Sequence, residues 1–249
     1  MLRQVRGVGP KIATAITMID LSATEAAMQR WMQAGVHILT WADPLYPAAL
    51  RAVEDAPPTL FVRGHIELLR ALPRMLAVVG TRTPSAASRD MAGQIGAAVA
   101  EIGGGLVSGL AAGVDAAAHI GALSVPGTVQ IAVLGSGILR VYPPEHRALA
   151  EAVMQHGVLA CEVAPDAPVS TPGLVARNRI ITGIAETVIV VETEADGGAM
   201  HAARFATMQG KRLVAVENSA SGNQQLLAAG ALPFRLEPLI ALHQPQDEA

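Results

Sequence analysis

Apolar runs of strand length recur along most of the chain, and each is followed by an alanine-rich stretch of helical length. The runs are apolar throughout instead of alternating with polar residues, which is typical of parallel strands buried on both faces. Six runs joined by five helical stretches predict an α/β fold, a doubly wound, mostly parallel, Rossmann-like sheet. The runs are residues 75–80, 105–109, 129–137, 157–163, 187–193 and 212–218.

The residues before the first run show a different sequence pattern. Residues 22–35 predict a helix with Ser22 or Thr24 as its N-cap, and residues 37–64 form a proline-punctuated segment leading into the sheet. We therefore predict a small helical N-terminal segment (1–40), the sheet domain (41–240), a tail (241–249) and no C-terminal winged-helix domain.

Composition narrows the class of protein. A chain of 249 residues that is 51% hydrophobic can bury a full core, and no apolar run approaches the roughly 18 residues of a membrane span. The start lacks the apolar region of a secretory signal, so we predict a cytoplasmic protein. The single Cys161 excludes an intrachain disulfide. A net charge of −3 and 3% aromatic residues mean that any affinity for nucleic acid must come from a local pocket.

Four strand-to-helix turns contain the candidate binding residues, because ligands of parallel sheets lie beyond the carboxyl ends of the strands. Glycines there allow backbone N–H groups to approach a ligand, and helix N-termini favour anions. Arginines at a helix start are disfavoured by the helix dipole, so the pair in "ARNR" (176–179) indicates an anionic ligand. The candidates are Gly80, Thr81, Arg82, Ser108, Gly109, Gly113, Gly135, Tyr142, Arg177, Asn178 and Arg179.

The chemistry of this site is predicted to be binding, not catalysis. The turns contain no dinucleotide fingerprint, no Walker A loop and no hydrolase signature, so we expect no cofactor, no metal and no enzyme activity. Asp115 and His119, four residues apart, could pair on a helix face or contact the ligand.

Several motifs together resemble the bacterial DNA-processing protein A family (DprA, also called Smf) over residues 35–235. They are "VVGTR", "SGLAAGVDAAAHIGAL", "VLGSG" with "YPPEHRAL", "CEVAP", "ARNRIITGIAETVIVVE" and "GNQQLLAAGA". The resemblance implies an extended Rossmann fold that binds single-stranded DNA, forms a homodimer and helps to load the RecA recombinase during natural transformation. Arg82 matches the family's Gly-Ser-Arg arginine with Thr81 in place of serine, and the Arg-Asn-Arg motif is intact.

Departures from the family pattern bear on affinity. Leu174 and Val175 replace the usual Phe-Pro, and the other departures are Pro144, His146, Gly197 and Ala202. The N-terminal "RGVGPKIATAI" (6–16) resembles part of a helix-hairpin-helix element, in which loop N–H groups hold a phosphate. Both independent DNA binding there and a remnant without that role stay open.

Two alternatives stay open for the whole chain. A phosphoribohydrolase-like enzyme could use Glu162 or Glu192 at a ribose, although its Pro-Gly-Gly-x-Gly-Thr loop is missing, and a nucleotide sensor would bind a small phosphate ligand. For the homodimer, we expect Leu226, Leu227 and Leu232 to form the contact. The alternative is that these leucines close the core.

Overall fold

The described part of the N-terminal unit is mostly helical, and the unit ends at Val36. The computed structural model describes residues 9–18 and 21–236, and the chain divides into two units between Val36 and His37. The first unit contains α1 (Pro10–Thr17) and α2 (Leu21–Gln33). Because α2 begins at Leu21, Ser22 and Thr24 lie inside the helix. Residues 6–8 of the proposed helix-hairpin-helix element lie outside the described residues.

A nine-stranded sheet dominates the described part of the second unit. Its spatial order is β1-β2-β6-β5-β4-β3-β7-β8-β9. All six predicted strands are present and parallel, β9 extends them, and only the pairings β1–β2 and β2–β6 are antiparallel within these residues. The strands are β1 (His37–Thr40), β2 (Thr59–Gly64), β3 (Met75–Val79), β4 (Gly105–Ser108), β5 (Val129–Val133), β6 (Gly157–Cys161), β7 (Thr187–Val190), β8 (Arg212–Ala215) and β9 (Leu232–Pro233).

Two strands come from the segment that sequence reasoning left irregular. Residues 37–40 form β1 and pair with β2, so the sheet unit begins at residue 37 and not at residue 41. The intervening loop is fixed by Tyr46, whose buried hydroxyl donates to the carbonyl of Pro57 at 2.7 Å. The proline-punctuated segment is thus an antiparallel extension of one sheet edge.

Helices cover both faces of the sheet, which explains why the strands are apolar throughout. One core packs α4 and α5 against the sheet, and the other packs α3, α8, α9 and Leu226 of α10. The remaining α-helices among the described residues of the unit are α6 and α7. Their bounds are α3 (Ala48–Arg51), α4 (Ala86–Glu101), α5 (Val114–Leu123), α6 (Arg147–His156), α7 (Thr171–Ala176), α8 (Asn178–Ile184), α9 (Ala199–Met208) and α10 (Ser221–Ala228).

Glycines set the distance between α4 and α5. A Cβ on Gly96 would lie 2.0 Å from the carbonyl oxygen of Ala118, and one on Gly121 would lie 2.0 Å from that of Gly93. Real Cβ atoms never approach an oxygen so closely, so both positions require glycine at this separation. Gly93 differs, because a Cβ there would lie 3.8 Å from its nearest neighbour, in ordinary contact.

The topology creates one crevice at the carboxyl edge. The chain builds β3, β4, β5 and β6 outward in order, then returns through α7 and α8 to place β7 on the other side of β3. At such a switch point the connections leave in opposite directions, which opens a crevice beyond the strand ends. Separately, no helix within the described ranges is both long and apolar enough to cross a membrane.

Candidate functional site

Two concavities that share lining residues lie at this carboxyl edge. The larger, of about 500 Å³, is bounded by the turn after β3, the α7–α8 segment and the start of α9. The smaller, of about 80 Å³, lies beside Gly109, Tyr142 and Pro143. Residues common to both are Arg82, Ala111, Leu174 and Arg177. Of the predicted residues, the structure brings Gly80, Thr81, Arg82, Gly109, Tyr142, Arg177 and Asn178 to this edge.

Arg82 is the positively charged residue of the site whose side chain is accessible to a ligand. Its side chain is exposed and makes no hydrogen bond or ion pair with the residues that the structure describes. The turn around it is fixed, because the Thr81 N–H donates to the carbonyl of Glu192 at 2.7 Å. The Glu192 carboxylate in turn accepts from the N–H and hydroxyl of Ser85, the N-cap of α4. A rigid turn thus presents an unpaired guanidinium.

Arg177 plays a different part, since it is 6% exposed and its guanidinium is bonded inside the protein. Its Nη1 donates to the carbonyl of Val133 at 2.6 Å, and its Nη2 lies 3.5 Å from Oδ2 of Asp115. A Cβ on Gly109 would lie 1.5 Å from that Nη1, so the glycine makes room for the guanidinium. These contacts tie β5 to α5 through Arg177, and its predicted phosphate contact stays a prediction.

Asp115 completes this buried pair. Its Oδ2 accepts from the N–H groups of Gly109 at 3.2 Å and Ala111 at 3.4 Å. Burial raises the pKa of Asp115, while Arg177 and these N–H groups act in the opposite direction. Burial also lowers the pKa of Arg177, but a guanidinium stays protonated in proteins. The pair gives the concavity a charged floor in which only the Nε of Arg177 has no partner among the described residues.

Arg179 lines neither concavity. Its guanidinium forms a bidentate pair with Glu162, at 2.9 and 2.6 Å, and its Nε lies 3.7 Å from Asp55. Asn178, between the two arginines, lines the larger concavity and is 8% exposed. Within the described chain its side-chain amide has no hydrogen-bond partner.

Three further predicted residues line neither concavity. Ser108 is buried and donates to the carbonyl of Val78 at 2.6 Å. Gly113, at φ 81°, sits against the carbonyls of Thr81 and Arg82, and a Cβ on Gly135 would lie 2.7 Å from the Cα of Leu174. These glycines let parts of the protein approach one another. Sequence reasoning assigned that space to a ligand.

Two histidines near the site, His119 and His146, bond within the fold. His119 does not pair with Asp115; its Nδ1 lies 2.6 Å from Oε1 of Gln130, and burial lowers its pKa to about 4. His146, one of the departures, donates through Nδ1 to the carbonyl of Leu110 at 2.8 Å. Leu110 is buried at φ 57°, an uncommon backbone for leucine, so His146 helps to fix the turn after β4.

Sequence reasoning missed the acidic side of the larger concavity. Glu194, Asp196 and His201 line it together with Gly198 and Ala199 at the start of α9. The available signal was "TEADGG" (193–198), an acidic stretch directly after a predicted strand. In the described part of the chain, no group of three or more His, Cys, Asp or Glu is arranged to hold a metal ion.

Comparison with known proteins decides the family. Residues 37–240 match the family described as DNA recombination-mediator protein A. The chain belongs to this family. DNA processing protein DprA of Bacillus subtilis is 31% identical over 206 residues, covering 81% of this chain and 69% of that protein. Protein Smf of Escherichia coli is 36% identical over 209 residues, covering 81% of this chain and 55% of Smf.

Solved structures confirm the predicted fold. DNA processing protein A of Streptococcus pneumoniae superposes with a TM-score of 0.83 at 28% identity, covering 96% of this chain and 83% of that one. The Helicobacter pylori protein, described for its single-stranded DNA binding mode, gives 0.75 at 25% identity, covering 83% and 94%. The chain spans only about half to two thirds of the length of the first sequence relatives.

Proposed function

We propose that this chain is a recombination mediator that binds single-stranded DNA in the two concavities at the carboxyl edge. Family membership and the single-stranded DNA binding of the Helicobacter pylori relative support it. The observation that carries the proposal is Arg82, an exposed guanidinium without a partner in the described residues, which lines both concavities.

The site residues have separate roles in this proposal. Arg82 holds a phosphate, and the Thr81 hydroxyl adds a second polar contact beside it. Tyr142 lines the smaller concavity, where its ring can stack on a base at about 1–3 kcal/mol. Arg177 contributes positive potential from beneath the surface, because its own N–H groups point to Val133 and Asp115. Arg179 is left out, since Glu162 and Asp55 neutralise it.

The shape of the site favours one strand over two. The lining comes from turns and helix ends that surround a recess, which a flexible single backbone can enter. A duplex is a stiff rod whose phosphates lie on its outside, on either side of grooves about 6 and 12 Å wide. We therefore expect weaker binding of duplex DNA and little sequence preference.

Binding without catalysis fits the contacts better than the phosphoribohydrolase-like alternative. Glu162 is paired with Arg179, and Glu192 accepts from Ser85. Neither glutamate lines the two concavities. Both carboxylates proposed to act on a ribose are thus occupied in holding the fold.

The wider setting is proposed from the family resemblance. We propose that the protein acts in the cytoplasm, loads RecA onto incoming single strands during natural transformation, and is a homodimer. Leu226 packs in the core of its own chain and Leu227 packs against it, whereas Leu232 of the edge strand β9 is 44% exposed. Leu232 and this edge are therefore the part of the predicted contact that is available to a second copy.

Arg82→Ala tests the binding site, with Arg212→Ala as a matched control at the opposite, amino edge of the sheet. Loss of one charge-assisted phosphate contact should weaken oligo-dT binding about tenfold. It should also reduce the slope of log K against log salt by about 0.7. Fluorescence anisotropy at several salt concentrations measures both. Equal effects of Arg82→Ala and Arg212→Ala would show that DNA is held elsewhere.

A further inference from the structure

The larger concavity is lined by groups of opposite charge. Arg82 and the start of α9 lie on its lining, and so do the carboxylates of Glu194 and Asp196. Asp196 is exposed and pairs with no group in the described chain. A polyanionic strand that filled this recess would meet both carboxylates, so the DNA site proposed above leaves this side unexplained.

We propose that the larger concavity binds a nucleoside 5′-monophosphate group, which has one dianionic end and one end rich in hydroxyl and amino donors. The phosphate lies at Arg82 and the α9 N-terminus, and the nucleoside donates to Asp196 and Glu194. The group is supplied by a free nucleotide or by the 5′-phosphorylated end of a strand. This inference goes beyond the proposed function, which requires only internal phosphodiesters.

The phosphate end is prepared by the backbone of α9. This helix has ten residues, and its N-cap, Gly198, provides no side-chain cap. The N–H groups of Gly198 and Ala199 have no acceptor among the described residues, whereas those of Met200 and His201 bond to carbonyls. Free N–H groups at a helix start favour an anion, and a dianionic monoester more than a diester.

Asn178 gives an independent indication of a ligand. Asn178 is more than nine-tenths buried and lines the concavity. Its side-chain amide makes no hydrogen bond within the described part of the chain. The amide is open to the recess, so it is available to bond a polar guest there. An amide can donate to a phosphate oxygen or accept from a hydroxyl.

The acidic segment that would meet the nucleoside is fixed by hydrogen bonds within the protein. Asn223, fully buried, accepts from the Thr193 N–H at 2.8 Å, and Glu194 accepts from the N–H and hydroxyl of Ser221. The Gly197 N–H donates to the carbonyl of Glu194 at 2.8 Å. Acidic side chains that accept from sugar hydroxyls are a general device of nucleotide sites on such sheets. A volume of about 500 Å³ fits a small ligand.

Calorimetry of the full chain with AMP and with adenosine tests the ligand class. We expect saturable binding of AMP and binding of adenosine at least tenfold weaker. Asn178→Asp keeps the size of the side chain but adds a negative charge, so it should weaken AMP more than adenosine. Asp196→Asn should weaken AMP about tenfold, and Glu101→Gln, at the far end of α4, should not. Stronger AMP binding by Asp196→Asn would overturn the inference, because that carboxylate would then only repel the phosphate.

Two single strands that begin with dA, whose base carries an amino donor, and that differ only in a 5′-phosphate identify the source. A gain in affinity from the 5′-phosphate, competed by AMP, assigns the site to strand ends; AMP binding without that gain assigns it to free nucleotides. No AMP binding and no gain would refute the inference while 5′-hydroxyl strands still bind, leaving the proposed function intact. If AMP binds but neither strand does, the proposed function fails and the inference stands.

Discussion

The floor and the rim of the site are built from neighbouring residues, but charged side chains are paired in the floor and, among the described residues, unpaired on the rim. The floor is Gly109, Asp115, Val133 and Arg177, and the rim is Thr81, Arg82, Tyr142, Asn178 and Asp196. In the floor, buried charges are paired and bonded to the backbone. On the rim, the charged side chains lack partners in the described chain. A motif match therefore locates a site without telling which of its residues meet the ligand.

The largest expected effect is on the floor. Arg177→Ala should lower the free energy of unfolding by about 3–5 kcal/mol, because it leaves Asp115 buried without its partner. Arg82→Ala on the rim should change it by less than about 0.5 kcal/mol. Urea unfolding of both variants gives the two values. Similar stabilities for the two variants would remove the distinction between floor and rim.

A pH titration should produce the next largest effect, through His119 of the same helix as Asp115. Its pKa is lowered by burial from about 6.5 to about 4, so below pH 6.5 the unfolded chain binds the proton more readily. Stability should fall by about 3 kcal/mol between pH 6.5 and pH 4 and be unaffected by this group above pH 6.5.

The contribution of His119 is obtained by difference. Urea unfolding of the native protein and of His119→Gln at several pH values cancels the titration of Asp115, which is common to both. His156→Gln, an exposed histidine at the end of α6, is the control. A His119→Gln variant with an undiminished pH dependence would contradict the assignment.

The smallest expected effect concerns Arg179, which belongs to neither floor nor rim. A double-mutant cycle of Arg179→Ala and Glu162→Ala should give a coupling of about 1 kcal/mol, as for a partly exposed ion pair. Affinity for oligo-dT should change much less in Arg179→Ala than in Arg82→Ala. Equal losses of affinity would return Arg179 to the binding site.

The sheet was predictable because its physics is local. Strands buried on both faces leave continuous apolar runs, and the turns between them meet at one edge whatever the side chains do. The antiparallel strands β1 and β2 escaped prediction because they are short and lie among prolines. Their pairing depends on partners that no pattern within the segment reveals.

Side-chain directions in the site were not predictable from the sequence. The partners of Arg179 are Glu162, which follows β6, and Asp55, which precedes β2, and only the folded chain brings them together. Likewise, Gly109 and Gly135 match the pattern of ligand-binding turns, yet Arg177 and Leu174 occupy the space beside them. Glycine signals a close approach, and the sequence does not say what approaches.

The contact between α4 and α5 has a consequence for how this chain can vary. Position 93 has room for an alanine, whereas positions 96 and 121 do not, although all three are glycines on the same pair of helices. Related sequences that retain this helix spacing can therefore replace the glycine at position 93 but must keep glycine at positions 96 and 121. The distance between the two helices therefore determines which positions along this contact accept a substitution.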